Sequence, residues 1–248
     1  MRISDLHLTR SRDDMAAWPE GKFLIDTVNA HSFVVAQKDA AFADALLKAD
    51  ALLPDGISIV KACRWLGTKN APVEKIAGAD LFAYEMEKLE EKGGTCFFLG
   101  SSPATLSLIE KKAAERYPHI QVKSYSPPYK PAFSPEESQA MVDAVNAADP
   151  DLLWVGMTAP KQEKWLHDHW PELRIHCHAG AIGAVFDFFA GTVERAPQKW
   201  IDLGLEWLYR LIKEPRRTWR RYLVNNPKFI WLVLKEARFF RRSSTSSE

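Results

Sequence analysis

Two short apolar runs, residues 24–28 and 49–53, each break into a polar loop, and the stretch between them has helical spacing. The first run ends in Thr27-Val28-Asn29-Ala30. The second meets Leu53-Pro54-Asp55-Gly56, where Pro54 and Gly56 halt a strand. Over residues 31–48, Phe33, Val34, Ala41, Ala45 and Leu46 form an uneven apolar stripe that predicts a helix. Strand, helix, strand is a parallel crossover unit, because parallel neighbours need a long connection and take a helix for it. Both loops must then open at the same carboxyl edge of one sheet, the edge at which open α/β sheets bind ligands. The spacing therefore brings Thr27, Asn29 and Asp55 to one crevice. Asn and Asp are also ordinary turn formers, and spacing alone does not separate the two readings.

The rest of the chain repeats the alternation. Helices are predicted over 57–66 and 78–92, the second closed by Gly93-Gly94. Residues 95–99 read as a buried strand, and Gly100-Ser101-Ser102-Pro103 turns into a helix over 104–117. Backbone N–H groups at such a helix start suit a phosphate, although neither GxGxxG nor GxxxxGK[ST] is present and a plain turn fits equally. A strand at 121–126, a helix at 135–147 and a strand at 152–156 follow. Gly156-Met157-Thr158 then leads into a helix with Pro160 in its first turn and Gln162 and Glu163 near its start. Residues 173–178 give the last predicted strand, and 180–191 open with small residues where a backbone approaches a ligand closely. Residues 1–21 are weakly periodic, an arm or an edge hairpin.

Asp149-Pro150-Asp151 matches by letter the D-x-D with which metal-dependent sugar transferases hold a cation. It precedes a strand, at the end away from the ligand edge, and Pro150 suits a turn there, so no metal site is expected. His167 and His169, like His176 and His178, lack a third ligand and read as core or surface histidines.

Cys63, Cys96 and Cys177 are odd in number and share no metal-type spacing, which points to a reduced, cytosolic setting. The first 14 residues lack the apolar core of a signal peptide. No apolar run approaches the roughly 20 residues that cross a bilayer. The net charge of +1 conceals an asymmetry: residues 205–242 hold 11 Lys+Arg against 3 Asp+Glu, so the body is acidic and the tail strongly basic. From Gln198 the chain reads as helical, rich in Trp and Arg, with Pro215 and Pro227 interrupting it. The expected architecture is an α/β core over 1–197 and a basic helical appendage over 198–248.

Six stretches in order, TVNAHS, LLPDGISIV, GADLF, PKQEKW, GAVFDFFAGTVERAP and GLEWLYRLIKEPRR, resemble the WecG/TagA/CpsF family of bacterial glycosyltransferases from about Phe23 to Lys228. The resemblance implies a Rossmann-like fold with a parallel sheet. It also implies an inverting, metal-independent transferase without a cofactor, which moves a sugar from a UDP-sugar to a polyprenyl-diphosphate-linked saccharide at the inner membrane face. N-acetylmannosamine, its uronic acid and glucose are the donor sugars it leaves open, and it leaves a homo-oligomer open too. By the same resemblance Asp55 is the candidate base, beside Thr27 and Asn29. Gln162 corresponds to a substrate position, and the arginines of the tail (Arg210, Arg216, Arg217, Arg220, Arg221) to an appendage that meets an anionic membrane and covers the site. Gly56, beside Asp55, and Gly100 and Ser101, at the strand-to-helix turn, complete the candidate substrate contacts. Two departures stand out: Lys75 where the family has Arg, losing the bidentate fork, and Gly156-Met157-Thr158 where it has Gly-x-Gly.

Two other classes compete. A nucleotide-sugar oxidoreductase or epimerase shares the α/β pattern but needs a dinucleotide loop and usually a Tyr/Lys pair, which are not found. A non-catalytic membrane or nucleic-acid binder explains the tail but leaves the TVN, PDG and PKQE stretches idle, so no nucleic-acid partner is expected.

Overall fold

The computed structural model describes residues 1–245, with side chains through Phe239. Phe240, Arg241 and Arg242, counted above in the basic tail, lie outside the described side chains. Strands β1 (Phe23–Val28), β2 (Ala51–Pro54), β3 (Gly94–Gly100), β4 (Ile120–Tyr125), β5 (Leu152–Gly156) and β6 (His178–Ala181) form one sheet in the order β2-β1-β6-β5-β3-β4. Every neighbouring pair is parallel, the α/β arrangement expected from the alternation and Rossmann-like as the resemblance implies. β3 connects outward to β4 while β5 connects back to β6, so the connections diverge between β3 and β5. Such a divergence opens a crevice at the carboxyl ends.

Between β1 and β2 the predicted single helix is two, α1 (Ala30–Ala36) and α2 (Ala40–Lys48). Asp39 causes the break: its carboxylate accepts from the Phe42 N–H at 3.0 Å, and an N-cap starts a new helix. Helices α3 (Ile57–Leu66) and α4 (Gly78–Lys92) precede β3, and α5 (Pro103–Arg116), α6 (Pro135–Ala148) and α7 (Lys161–His169) follow β3, β4 and β5 in turn. α8 (Val185–Ala190) follows β6. One sheet face packs under α4, α5 and α8 around Phe82, Phe98, Trp154 and Phe186. The other is covered by α6 and α7 towards one side and by α1, α2 and α3 towards β2.

The last strand lies at His178–Ala181, not at 173–178. Leu173, Ile175 and Cys177 are buried as a lead-in beneath α6 and α7, and pairing begins only where His178 meets both Phe23 and Leu152. Gly180, expected where a backbone approaches a ligand, is instead central in the sheet, where a Cβ would run into the Trp154 ring. The N-terminal residues are an arm: Leu8 bridges Leu52 and the Thr9 N–H donates to its carbonyl at 3.0 Å, covering the β2 edge.

At the opposite end of the sheet from the crevice, His178 is buried between the Glu85 carboxylate (Nδ1, 3.0 Å) and the Pro19 carbonyl (Nε2, 2.9 Å). Two acceptors on two ring nitrogens favour the imidazolium. Burial alone lowers the His178 pKa, but the Glu85 and Pro19 bonds and the Glu85 charge outweigh it and raise the group above its usual range. The folded state therefore binds the proton more tightly than the unfolded one. Stability from this pair is fully present below about pH 6.5, the unfolded value, and is lost as pH rises through the raised folded value. Melting temperature should fall over that window, by about 2–4 °C per kcal/mol lost, and this part of the slope should vanish in His178→Gln, read by thermal melts across pH.

The tail continues as α9 (Gln198–Asp202), α10 (Glu206–Lys213), α11 (Pro215–Trp219) and α12 (Asn225–Thr245). Pro215 starts α11, as expected, but Pro227 does not break its helix. The turn before it, Arg220–Val224, widens to a π-helix, which absorbs the N–H that Pro227 lacks. α12 then packs back onto α1 and α3: Phe229 meets the Phe33 ring edge-on at 5.5 Å, and the buried Glu236 carboxylate accepts from the Ile3 and Ser4 N–H groups at 2.8 and 2.9 Å. No helix among the described residues is long and apolar enough to cross a membrane.

Candidate active site

The crossover delivers Asn29 and Asp55 to one place. Asn29 caps α1, its Oδ1 accepting from His31 and Ser32 N–H groups at 3.0 and 3.1 Å, and its side chain also hydrogen-bonds the Asp55 carboxylate. With Oδ1 spent on the cap, the amide nitrogen is the donor to Asp55. Asn29 is thus a turn former whose side chain also faces Asp55. Asp55 is fixed from below, its N–H donating to the Val28 and Leu53 carbonyls at 2.9 Å each. Gly56 opens α3 directly behind it. Thr27 stands on β1 opposite Leu53, half-buried at the same edge.

Burial, and then the Glu206 carboxylate, push the Asp55 pKa above the usual carboxylate range, against the opposing pull of Lys75, Arg221 and the Asn29 bond. Lys75 and Glu206 are themselves paired at 2.8 Å. This ion pair joins the loop before α4 to the first turn of α10, so the tail reaches the surroundings of Asp55. Lys75 meets a single carboxylate here, which an ammonium suits. From the π-turn, Arg221 acts on both Asp55 and His31, and burial followed by Arg221 pushes His31 down to about 4. A neutral His31 fits its geometry, because Nδ1 faces the Asn225 amide nitrogen, a donor, at 2.5 Å.

The other arginines separate by position. Arg210 lies over the Phe188 ring at 5.5 Å with its Nε buried and unpartnered by protein. Arg217 pairs with Glu214 at 3.1 Å and reaches Asp187 of α8 at 3.8 Å. Arg216 and Arg220 are exposed, the latter against Trp219 at 5.2 Å.

Across the crevice the two strand ends nearly touch. A Cβ on Gly100 would stand 2.5 Å from the Gly156 carbonyl, and one on Gly156 would meet the Phe186 ring at 2.5 Å, so only glycine lets these loops close on each other. The Ser101 N–H is spent on that Gly156 carbonyl at 3.1 Å, and Ser102 caps the Thr105 N–H at 3.2 Å. Gly100 and Ser101 therefore offer a phosphate fewer free donors than the loop's composition suggested. Gln162 is 3% exposed. Its Oε1 accepts from the Met157 N–H at 3.1 Å and its Nε2 donates to Glu163 at 2.9 Å, so it braces the loop after β5 while sitting beside Gly183 after β6.

Asp151, in the D-x-D, accepts from the Thr95 N–H at 2.8 Å at the start of β3, remote from the crevice. Sequence reasoning passed over Glu206, His31 and Arg195. Glu206 was marked as an acid inside a strongly basic tail. Arg195 follows Glu194 in the ERAP turn and faces Asp80 at 3.7 Å, which also takes Arg12 at 3.2 Å.

The model of the Glycosyl transferase WecG/TagA/CpsF family matches residues 1–243. The chain belongs to that family. It is a glycosyltransferase. It is 34% identical over 213 residues to a Bacillus subtilis N-acetylglucosaminyldiphosphoundecaprenol N-acetyl-beta-D-mannosaminyltransferase, covering 86% of this chain and 79% of that one. A Bacillus spizizenii protein with the same description is 32% identical over 220 residues, covering 88% of this chain and 81% of its own.

Proposed function

We propose that this WecG/TagA/CpsF transferase moves N-acetylmannosamine from a UDP-sugar to a GlcNAc-diphosphate-polyprenol, with inversion and without a metal ion, at the inner membrane face. The observation that carries the reading is the convergence on Asp55 of Asn29, Lys75, Glu206 and Arg221 from core and tail together. An inverting transfer needs one base for the acceptor hydroxyl and positive charge for the departing diphosphate, and this edge supplies both types. The names of the relatives support the acceptor and, by their β-linked product, inversion from an α-linked nucleotide sugar. Asp55 takes the proton, Thr27 and Asn29 orient hydroxyls, and Arg210 and Arg221 meet the diphosphate beside the Gly56, Gly100 and Ser101 loops.

The membrane reading draws on the tail. Thr218, Tyr222, Phe229 and Val233 are buried, while Trp219, Leu223, Ile230 and Leu234, one residue further along, are exposed at the same spacing. With Arg216, Arg220, Lys228 and Lys235 beside them, they make an apolar stripe edged by cations, suited to a headgroup region. Each cation near an anionic surface adds about 1 kcal/mol.

The test is a donor panel against a GlcNAc-diphosphate lipid, read by product mass and by free UDP. UDP release that depends on the lipid-linked acceptor is expected, and release without it overturns the reading. EDTA should leave the rate unchanged, and Asp151→Ala should lower the melting temperature without lowering the rate. A strict Mn²⁺ or Mg²⁺ requirement removes the metal-free mechanism.

A further inference from the structure

Beneath the crevice lie two carboxyl groups that the mechanism does not use. Asp26 projects from β1 with no exposed surface, and neither of its oxygens has a protein partner. Glu163, in the first turn of α7, is 2% exposed; Oε1 accepts from Gln162 Nε2 at 2.9 Å and Oε2 has no partner. Asp26 shares its face of β1 with Leu24, which lies in one buried cluster with Trp165 and Leu166 of α7, so both carboxyls face the layer between β1 and α7. A lone ionised carboxylate is costly to bury there, and two cannot both ionise without facing each other's charge. Burial, and then the charge of Glu163, raise Asp26 well above the usual carboxylate range, and burial raises Glu163 to about 7.

No other charge compensates them. β2, β5 and β6 present no titratable side chain at this level, since His178 at the far end of β6 is held by Glu85. α2 brings Asp39 and Asp44, but these pair with Lys164 and His167 of α7 at 3.1 and 3.3 Å on partly exposed ground. The one outlet of the pair is Gln162. That amide has one end on Glu163 and the other on the Met157 N–H of the loop after β5, beside Gly183 of the loop after β6.

We infer that Asp26 and Glu163 are a positioning pair that shares a proton, and that this proton fixes the Gln162 amide and thereby the spacing of the loops after β5 and β6 at the edge of the crevice. The inference rests on the reading of that crevice as the transfer site. With one proton between them, Glu163 stays beside Asp26 and keeps Oε1 for Gln162. Loss of the last proton sets two anions against each other, drives Glu163 away, and takes Gln162 off the Met157 N–H. Turnover then falls on the alkaline side through kcat, a limb separate from the rising limb of Asp55.

The experiment compares wild type with Glu163→Gln and Asp26→Asn. Each amide supplies the shared hydrogen permanently and cannot ionise. In wild type, turnover and amide-exchange protection at Met157, followed by NMR, should both fall about tenfold per pH unit above the pair's upper ionisation. Both should stay level in the two variants. The folded pair holds protons that the unfolded chain releases near pH 4, so stability falls as pH rises from there through the folded values. That slope too should shrink in both variants. An unchanged alkaline limb together with wild-type Met157 exchange in the variants overturns the inference. Should wild type transfer no sugar at all, the exchange and melting measurements still decide the pair, and the failure falls on the functional reading.

Discussion

Asp55→Asn should lower turnover by about 10²–10⁴-fold, the usual worth of a positioned general base, while leaving the melting temperature and donor affinity near wild type. The replacement preserves shape and keeps an acceptor for the Asn29 amide, so the loss isolates proton transfer. Because burial and Glu206 hold Asp55 above the usual carboxylate range, the acid limb of kcat/KM should lie above about pH 4. The Lys75–Glu206 pair gives that limb a signature. Glu206→Gln removes the charge that raises Asp55 and should move the limb to lower pH; Lys75→Met removes a charge that lowers it and should move the limb up. Opposite displacements from the two ends of one ion pair identify the titrating group as Asp55. Near-normal turnover of Asp55→Asn would take it out of the mechanism.

The second large effect concerns the tail arginines. Arg221→Gln and Arg210→Gln should each cost turnover on the order of 10²-fold, comparable to removing one oxyanion donor, and should do so on a short-chain soluble acceptor as well as on lipid. The Arg221 charge helps hold Asp55 down against burial, and Arg210 keeps a buried Nε without a protein partner. Arg216→Gln and Arg220→Gln, at exposed positions, should leave the soluble reaction intact and weaken sedimentation with anionic liposomes. Deleting the tail is a blunter measurement, because it also uncovers Phe33 and removes the Glu236 acceptor from Ile3 and Ser4. If all four single variants lose liposome binding and none loses soluble turnover, the tail is an anchor and not part of the site.

Where side-chain pattern and punctuation agreed, the sequence carried the structure. α4 and β5 fall where expected because a helical stripe and a short buried run were each bounded by turn residues. Thr27, Asn29 and Asp55 were legible because a crossover has few geometries. β6 was not, because His-Ala-Gly-Ala has little strand preference of its own and is a strand only through partners on both sides. The sorting of the arginines depended on a π-turn that no residue pattern announces. Asp26 was overlooked although it left a trace, a lone acid within Phe-Leu-Ile-Asp-Thr-Val, where a strand covered on both faces ordinarily carries none.

The position of β6 has a consequence for how the molecule is made. It is the last strand synthesised, yet it stands third in the sheet, between β1 and β5. Until residues 178–181 leave the ribosome, the nascent sheet consists of two separate halves, β2-β1 and β5-β3-β4, each with an unpaired inner edge. Those edges are apolar and parallel-pairing, the kind of template that recruits other chains. A late pause in translation should therefore show as aggregation during expression, while protein that has completed the sheet behaves as wild type once purified.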